Sequence, residues 1–578
     1  MEEMVKNHKI SKFLSRILIN RSIVEDGVVK SYLDPELHNM HMPTLMKDMS
    51  KGVDIIRKKI LNEDRMRIVG DYDVDGVISI YTLYKGISRC GGIVDYVVPN
   101  RIEDGYGINE DLVRAAYEEG IDTIITCDNG IAAIEAVELA KELGMTVIIT
   151  DHHDVPFKLN EEDEIEYIHT AADAVINPKQ EDCKYPFKML CGAGIAFKLV
   201  ECLYSIYNVD EEEIYSLLEY TAIATVCDVV DLIDENRIIV KKGLELLNNT
   251  RNIGLKALIR ESGIEDREIG VYHLGFVIGP SINASGRLDS AVMAIELLLS
   301  ENLEEAESLA KELRNLNEDR KNMTNSGVDK LMEIVEKDTM KDDKVLVVYD
   351  PDIHESIAGI IAGRIKDRKH RPTIVLTDAK DGVKGSGRSI EEYNMFEELS
   401  KCKDILNRFG GHPMAAGLSL DRENVEALRK RLNDYTVLTD DDLVSKKYID
   451  MQLPLHYISF KLIDELSILE PFGKGNSKPV FGDKDIKIKK ASVLGKNKNV
   501  LKFILENQQN KNIEAMFFGD LEHFEQSVED CYGRAELDNL YRGIDNKVKM
   551  DLLYYPSINE FRGNVNLQIT IQSFRMCR

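Results

Sequence analysis

Gly70-Asp71-Tyr72-Asp73-Val74-Asp75-Gly76-Val77 decides the fold of this chain. Three carboxylates at alternate positions follow the strand-like run Arg67-Ile68-Val69, so an acidic cluster closes the end of a strand. Two more such endings come after it: Asp128-Asn129-Gly130 follows Thr123-Ile124-Ile125-Thr126, and Asp151-His152-His153 follows Thr146-Val147-Ile148-Ile149. Residues 77–89 and 132–143, lying between the runs, carry apolar side chains at helical spacing. Strand alternating with helix implies a parallel sheet. Ligands of such sheets bind outside the carboxyl ends of the strands, which predicts that the three acidic motifs converge.

Converging carboxylates repel one another unless a cation neutralises them. Oxygen-rich donors suit hard divalent cations, and an imidazole in the set favours Mn2+ over Mg2+ or Ca2+. Two cations about 3.5–4 Å apart, sharing an aspartate, are equipped to hydrolyse phosphate esters. Each Asp-Gly or Asn-Gly pair alone is also ordinary turn chemistry. Three acidic motifs at successive strand ends point instead to a metal centre.

Asp151-His152-His153 with Asp73-x-Asp75 and Asp128 resembles the DHH phosphoesterase superfamily, and the opening motif is similar to that of its RecJ single-stranded-DNA exonucleases. Asn100-Arg101 with Asp104-Gly105-Tyr106-Gly107, Thr225-Val226-Cys227-Asp228, Gly279-Pro280-Ser281-Ile282-Asn283 through Arg287, Gly410-Gly411-His412, and Pro471-Phe472-Gly473 continue the resemblance along nearly the whole chain. The resemblance implies two divalent ions, Mn2+ or Mg2+, held by Asp73, Asp75, Asp128, His152 and Asp228, with Asp128 as the bridge. It places Asp71 at or just behind the ligands and makes His153 a charge stabiliser or proton donor at the scissile phosphate. Ser386, Arg388, Gly411 and His412, with Arg101 and Arg287, would hold the terminal phosphate. Val69, Ser281 and the segment Ile353-His354-Glu355-Ser356-Ile357-Ala358-Gly359 depart from the common family pattern.

At 578 residues the chain has room for several domains. Nine cysteines without a Cys-x-x-Cys pair fit a reduced, cytoplasmic protein, and neither a signal peptide nor an apolar run of membrane-spanning length is evident. A net charge of −27 runs against the usual footprint of a nucleic-acid binder. A partner, however, feels the local field, and basic stretches occur at 364–371, 484–490 and Lys496-Asn497-Lys498.

Residues 301–336 read as one long helix packed through Leu303, Ala306, Leu309, Leu313, Leu316 and Met323. Strand-like runs at 344–349 and 372–377, with a helix between, begin a second α/β domain. In it, Gly385-Ser386-Gly387-Arg388 and Gly410-Gly411-His412 offer backbone amides, a hydroxyl and a guanidinium fork to phosphate. The last hundred or so residues hold several strands and few helical signals, which suits a small barrel, with Phe503, Phe517, Phe518, Tyr554 and Tyr555 as available aromatics.

The expected organisation is therefore a parallel-sheet DHH catalytic domain (1–300), a connecting helix (301–340), a smaller α/β DHH-associated domain (341–440) and a C-terminal OB-fold barrel (441–578). The expected function is 5′-to-3′ exonuclease action on single-stranded DNA in repair and recombination, with single-strand-binding protein and a helicase as candidate partners. The alternative is a phosphodiesterase of short oligonucleotides or cyclic dinucleotides.

Overall fold

Strand β1 (Arg65–Val69) is buried at four of its five positions, as befits a strand covered on both faces. The computed structural model describes residues 1–160, 164–337, 340–380, 382–495, 500–561 and 563–577. The basic stretch Lys496-Asn497-Lys498 lies outside them. Strands β2 (Ile93–Val97), β3 (Thr123–Cys127) and β4 (Thr146–Thr150) run parallel to β1. After a hairpin of β5 (Phe157–Leu159) and β6 (Ile165–Tyr167), β7 (Ala174–Ile176) completes the order β2-β1-β3-β4-β7. The chain steps to opposite sides of β1, so the crevice between β1 and β3 is the topological switch point.

The register pairs Val69 with Thr126 and Cys127 with Thr150, which brings the ends of β1, β3 and β4 level. Asp73 caps the next helix, Val74–Arg89, accepting hydrogen bonds from the amides of Asp75 and Gly76. That cap starts the helix three residues ahead of the apolar spacing and places Asp75 in its first turn.

The long helix is present as Leu303–Val335, but its packed face differs from the expected stripe. Ala306 and Leu313 are buried, whereas Leu303 is 52% and Met323 37% exposed. The polar Asn317, Arg320 and Thr324 are buried instead. Hydrophobic spacing alone does not register a face packed through hydrogen bonds.

The second sheet has the order β11-β12-β10-β9-β8. β8 (Leu346–Tyr349) and β9 (Thr373–Ala379) are parallel, joined by the helix Glu355–Lys369. β10 (Gly382–Arg388), β11 (Arg408–His412) and β12 (Ala415–Leu420) add antiparallel pairings. Because β10 pairs on both edges, its backbone amides are committed to the ladders. This corrects the expectation that glycine-freed amides of residues 385–388 reach phosphate; there the donors available are the side chains of Ser386 and Arg388.

The chain divides into two compact units. The larger, His41–Val230 with Lys242–Lys446, contains both sheets just described. The other gathers Met1–Met40, Asp231–Lys241 and Lys447–Arg578. In it β13 (Met451–Gln452) flanks a barrel of β14 (Phe481–Leu494), β15 (Val500–Glu506), β16 (Asn512–Phe517), β17 (Lys549–Phe561) and β18 (Asn564–Met576), closed by pairing of β14 with β17.

Two helices, Leu521–Tyr532 and Arg534–Arg542, interrupt the barrel sequence where few helical signals were expected. They bury only Phe524, Val528, Leu537 and Leu540, too sparse an apolar pattern to stand out in so charged a segment. Phe503, Phe517, Tyr554 and Tyr555 are core residues, leaving Phe518, 65% exposed, as the open one of the five aromatics.

The amino-terminal segment shares the barrel's core through Leu14, Ile17, Leu18 and Val29. Buried Arg237 donates to the carbonyls of Tyr32, Ile468 and Leu469 at 2.9–3.0 Å and stacks on the Tyr32 ring. Removing residues 447–578 uncovers those apolar side chains and leaves a buried cation without two of its acceptors. The expected result is loss of most soluble monomer, read by gel filtration of the purified protein. A monomeric truncation in full yield would contradict it.

Candidate active site

The ends of β1, β3 and β4 deliver the first candidate ligands side by side. Asp128, directly after β3, adopts φ 60°, a left-handed conformation that Asp tolerates better than most residues. Its Oδ1 lies 3.1 Å from His152 Nε2, while Asp228 Oδ2 and Asp75 Oδ2 lie 3.7 and 3.8 Å from the same nitrogen. Donor atoms form three close groups: Asp128, His152 and His153; Asp75, His152 and Asp228; and Asp71, Asp73 and Asp128. Asp128 belongs to two of them, the position a bridging ligand needs. The five metal positions expected from sequence thus come together, with Asp71 beside them.

Asp75 is fixed by the start of the helix Gly192–Tyr207, where the Gly192 and Ala193 amides donate to its two oxygens at 2.6 and 2.8 Å. A side chain at 192 would place its Cβ 2.7 Å from Asp128 Cβ, so glycine is required for that approach. Neither Gly192 nor Ala193 was singled out in the sequence. The signal was slight, a Gly-Ala-Gly opening an apolar helix.

Electrostatics shows what the cluster lacks. Burial, reinforced by Asp73, pushes Asp71 up to about 8, and burial with Asp75 and Asp73 does the same to Asp228. Asp128 is raised well above the carboxylate range by burial and four neighbouring aspartates, and burial lowers His152. Buried Asp71 Oδ1, Asp128 Oδ1, Asp228 Oδ2 and His152 Nε2 have no hydrogen-bond partner. Orphaned acceptors converging on one space, in a cluster that disfavours its own charge, fit divalent cations.

Asp151, the first residue of its motif, supports the two histidines that follow it. Its Oδ1 accepts from the amides of His152 and His153 and pairs with His153 Nδ1 at 2.7 Å, and its Oδ2 accepts from Ile131 N. Burial opposes the His153 charge, but the Asp151 carboxylate outweighs it and raises His153 to about 9. Tyr106 donates to the Asp128 carbonyl at 2.5 Å with its hydroxyl 3.3 Å from both His153 ring nitrogens. An Asp151→Asn substitution should return the His153 pKa toward its ordinary value and lower activity about 10- to 100-fold, the range seen when a ligand's supporting partner is lost. NMR titration of the ring, alongside kcat, would check it; a pKa still near 9 would contradict it.

Around this centre lie the phosphate candidates. Arg101 covers the Tyr72 ring at 4.6 Å and is within electrostatic reach of Asp71, and Arg287 is within reach of Asp73. Arg287 Nη1 donates to the Ser356 carbonyl of the second domain at 2.7 Å. Arg388 Nη1 donates to Ser386 Oγ at 3.0 Å. Gly411 and His412 are on exposed β11, where His412 lies within electrostatic reach of Asp154, the residue after the two histidines.

The basic stretches behave differently. Lys366, Arg368 and Lys369 pair with Asp367, Asp329 and Glu336, and Lys487 and Lys489 pair with Asp545 and Glu506. These five cations meet local carboxylates, whereas Arg364 donates to Asn325 and Arg371 to backbone carbonyls.

A parallel-sheet acidic metal centre joined to a second α/β domain, in a chain that also carries a small barrel, defines a metal-dependent phosphoesterase. Family models match in the same order: DHH family, N-terminal domain (65–225), DHHA1 domain (342–437) and RecJ OB domain (449–573). The chain is 35% identical to the single-stranded-DNA-specific exonuclease RecJ of Bacillus subtilis over 99% of this chain and 69% of that protein. It is 33% identical to the Salmonella typhimurium RecJ, covering 91% of this chain and 90% of that one. A crystal structure of Thermus thermophilus RecJ in complex with Mn2+ superimposes with a TM-score of 0.81 at 25% identity, over 100% of this chain and 78% of that one. The chain belongs to the RecJ family.

Proposed function

We infer that this protein is a single-stranded-DNA-specific exonuclease that hydrolyses phosphodiester bonds from the 5′ end and releases nucleoside 5′-monophosphates. The observation that carries the reading is the sharing of Asp128 between two donor groups in a buried cluster of orphaned acceptors. Two divalent ions, Mn2+ or Mg2+, would be held by Asp73, Asp75, Asp128, His152 and Asp228. Such ions supply Lewis acidity, lowering the pKa of a water and stabilising charge that develops on the phosphoryl group.

The chain's own residues do the rest. His153, kept protonated by Asp151, faces the scissile phosphate as a fixed positive charge and proton donor. Asp71 supports the first motif from behind. Ser386, Arg388 and His412, with Gly411 allowing close approach and Arg101 and Arg287 opposite, grip the terminal phosphate. That grip at a fixed distance from the metal centre sets polarity and makes the enzyme an exonuclease. The OB-fold barrel supplies single-strand affinity. We place its work in DNA repair and recombination in the cytoplasm, alongside single-strand-binding protein and a helicase. No helix among the described residues is long and apolar enough to cross a membrane.

The test is incubation with Mn2+ and 5′-phosphorylated single-stranded DNA labelled at its 3′ end, beside duplex DNA and a dinucleotide. Progressive shortening of the single strand alone supports the reading. Cleavage confined to the dinucleotide moves the assignment to short-oligonucleotide turnover.

A further inference from the structure

A cavity of about 520 Å3 opens among the helices Val74–Arg89, Gly192–Tyr207 and Leu218–Cys227, at the ends that face away from the acidic centre. The first helix carries Asp75 in its opening turn, the second begins with the Gly192 amide that holds Asp75, and the third runs out into Asp228. Tyr81, Tyr84 and Arg89 follow Asp75 by about two to four turns, Tyr204 follows Gly192 by about three and Tyr220 precedes Asp228 by about two, which sets the cavity roughly 10–20 Å along each helix from the metal centre. None of its lining residues has a part in the function proposed above. Its walls are fixed by packing, since a Cβ at Gly86 would lie 2.5 Å from Val200 Cγ2 and the first two helices already touch there.

Tyrosines from all three helices line the cavity. Tyr81 and Tyr220 are 4% and 5% exposed and lie ring to ring with 4.5 Å between centroids, whereas Tyr84 is half-buried and Ser88 and Ser216 are exposed. The first pair thus lies deep, and the others mark the mouth. The hydroxyls of Tyr81 and Tyr220 meet each other, with Asn252 and Glu219 beside them. Tyr204 differs. It is only 4% exposed, and its hydroxyl has no hydrogen-bond partner among the described residues. A buried hydroxyl on a cavity wall is left for the occupant to satisfy.

The lining holds two cations, Lys85 and Arg89, and two carboxylates, Glu213 and Glu301, and Arg89 meets Glu213 through two bonds at 2.7 and 2.8 Å. The cavity therefore has no net charge to offer an ion. A plain hydrocarbon would leave the Tyr204 hydroxyl unsatisfied, and a sugar alone would leave the ring faces uncovered. A flat heterocycle with acceptors at its edge meets both demands, stacking on the rings and accepting from the hydroxyl. The volume is that of a small-molecule site.

We propose that this cavity is a nucleobase site separate from the metal centre, which takes the nucleoside 5′-monophosphates that the exonuclease releases. The proposal rests on the exonuclease reading for the source of the base. With a neutral lining, base and sugar enter while the phosphate stays in solvent at the mouth, so the affinity comes from the base. That sets the cavity apart from the terminal-phosphate grip at Ser386 and Arg388, which needs the phosphate.

The experiment is equilibrium dialysis of the chelator-treated full chain against deoxyadenosine and against its 5′-monophosphate, with exonuclease activity measured on the same preparations once Mn2+ is restored. Each ligand should bind once per chain, with dissociation constants within about threefold of each other. Tyr204→Phe should weaken both roughly 3- to 10-fold, the value of one neutral hydrogen bond. Ser216→Trp, at an exposed position of the mouth, should block both. Both variants should shorten single-stranded DNA as the wild type does, and excess single-stranded DNA should leave deoxyadenosine bound. Failure of the wild type to bind deoxyadenosine at millimolar concentration overturns the proposal, as does binding that neither variant alters. Binding of the monophosphate alone overturns it in favour of the phosphate grip, and displacement by single-stranded DNA overturns it in favour of a contact for a base of the strand. A wild type that binds deoxyadenosine as expected and shortens no strand overturns the exonuclease reading and not the site.

Discussion

An Asp128→Asn protein should lose at least about a thousandfold in kcat/KM on single-stranded DNA, equivalent to about 4 kcal/mol of transition-state stabilisation, while its metal-free form melts where the wild type does. The activity loss follows from Asp128 belonging to two donor groups, so that one substitution weakens both. The unchanged stability follows from the cluster's own repulsion. Burial and four neighbouring aspartates disfavour the charged form of Asp128 without metal, and asparagine is nearly isosteric with the neutral acid. Asparagine also accepts the left-handed backbone at 128, where alanine would add strain unrelated to metal. Residual activity above a tenth of wild type, or a lower metal-free melting temperature, would rule out the bridging role.

The acidic centre was legible in the sequence because each of its parts is a local signal. An aspartate directly after a β-branched run needs no tertiary information to be placed at a strand's end, and the parallel sheet then makes the ends of β1, β3 and β4 neighbours. Asp228 follows a helix, Leu218–Cys227, not a strand, and only the family resemblance brought it to the site. What stayed hidden depends on contacts made across the fold. Asp75 is held by amides more than a hundred residues away, Asn283 Oδ1 accepts from Val74 N, and Asn317 and Arg320 are buried through hydrogen bonds that a hydrophobic pattern does not contain. The barrel's partnership with residues 1–40 was hidden for the same reason, since Leu14, Ile17 and Leu18 read as any amphipathic helix until a partner is known.

Metal should stabilise the larger unit more at high pH than at low. Asp71 and Asp228 have folded-state values of about 8 against 3.8 for ordinary aspartate. Between those values the metal-free folded protein holds protons that the unfolded chain has already released, so its stability falls as pH rises from about 4 to about 8 and levels off above. Cations compete with those same protons, so binding releases protons and tightens over the same interval. Mn2+ at a hundred times its dissociation constant contributes about 2.7 kcal/mol, which corresponds to a melting increase of about 5–10 °C for a unit of a couple of hundred residues, and somewhat less for a larger one. The comparison is between chelator-treated and Mn2+-loaded protein, melted at pH 6 and pH 8.5. The gap should widen at the higher pH because the metal-free curve descends while the loaded one does not, and Asp128→Asn should narrow it. Equal gaps at both pH values would mean that the carboxylates do not carry the mutual repulsion their burial imposes, and the case for a two-cation centre would lose its physical basis.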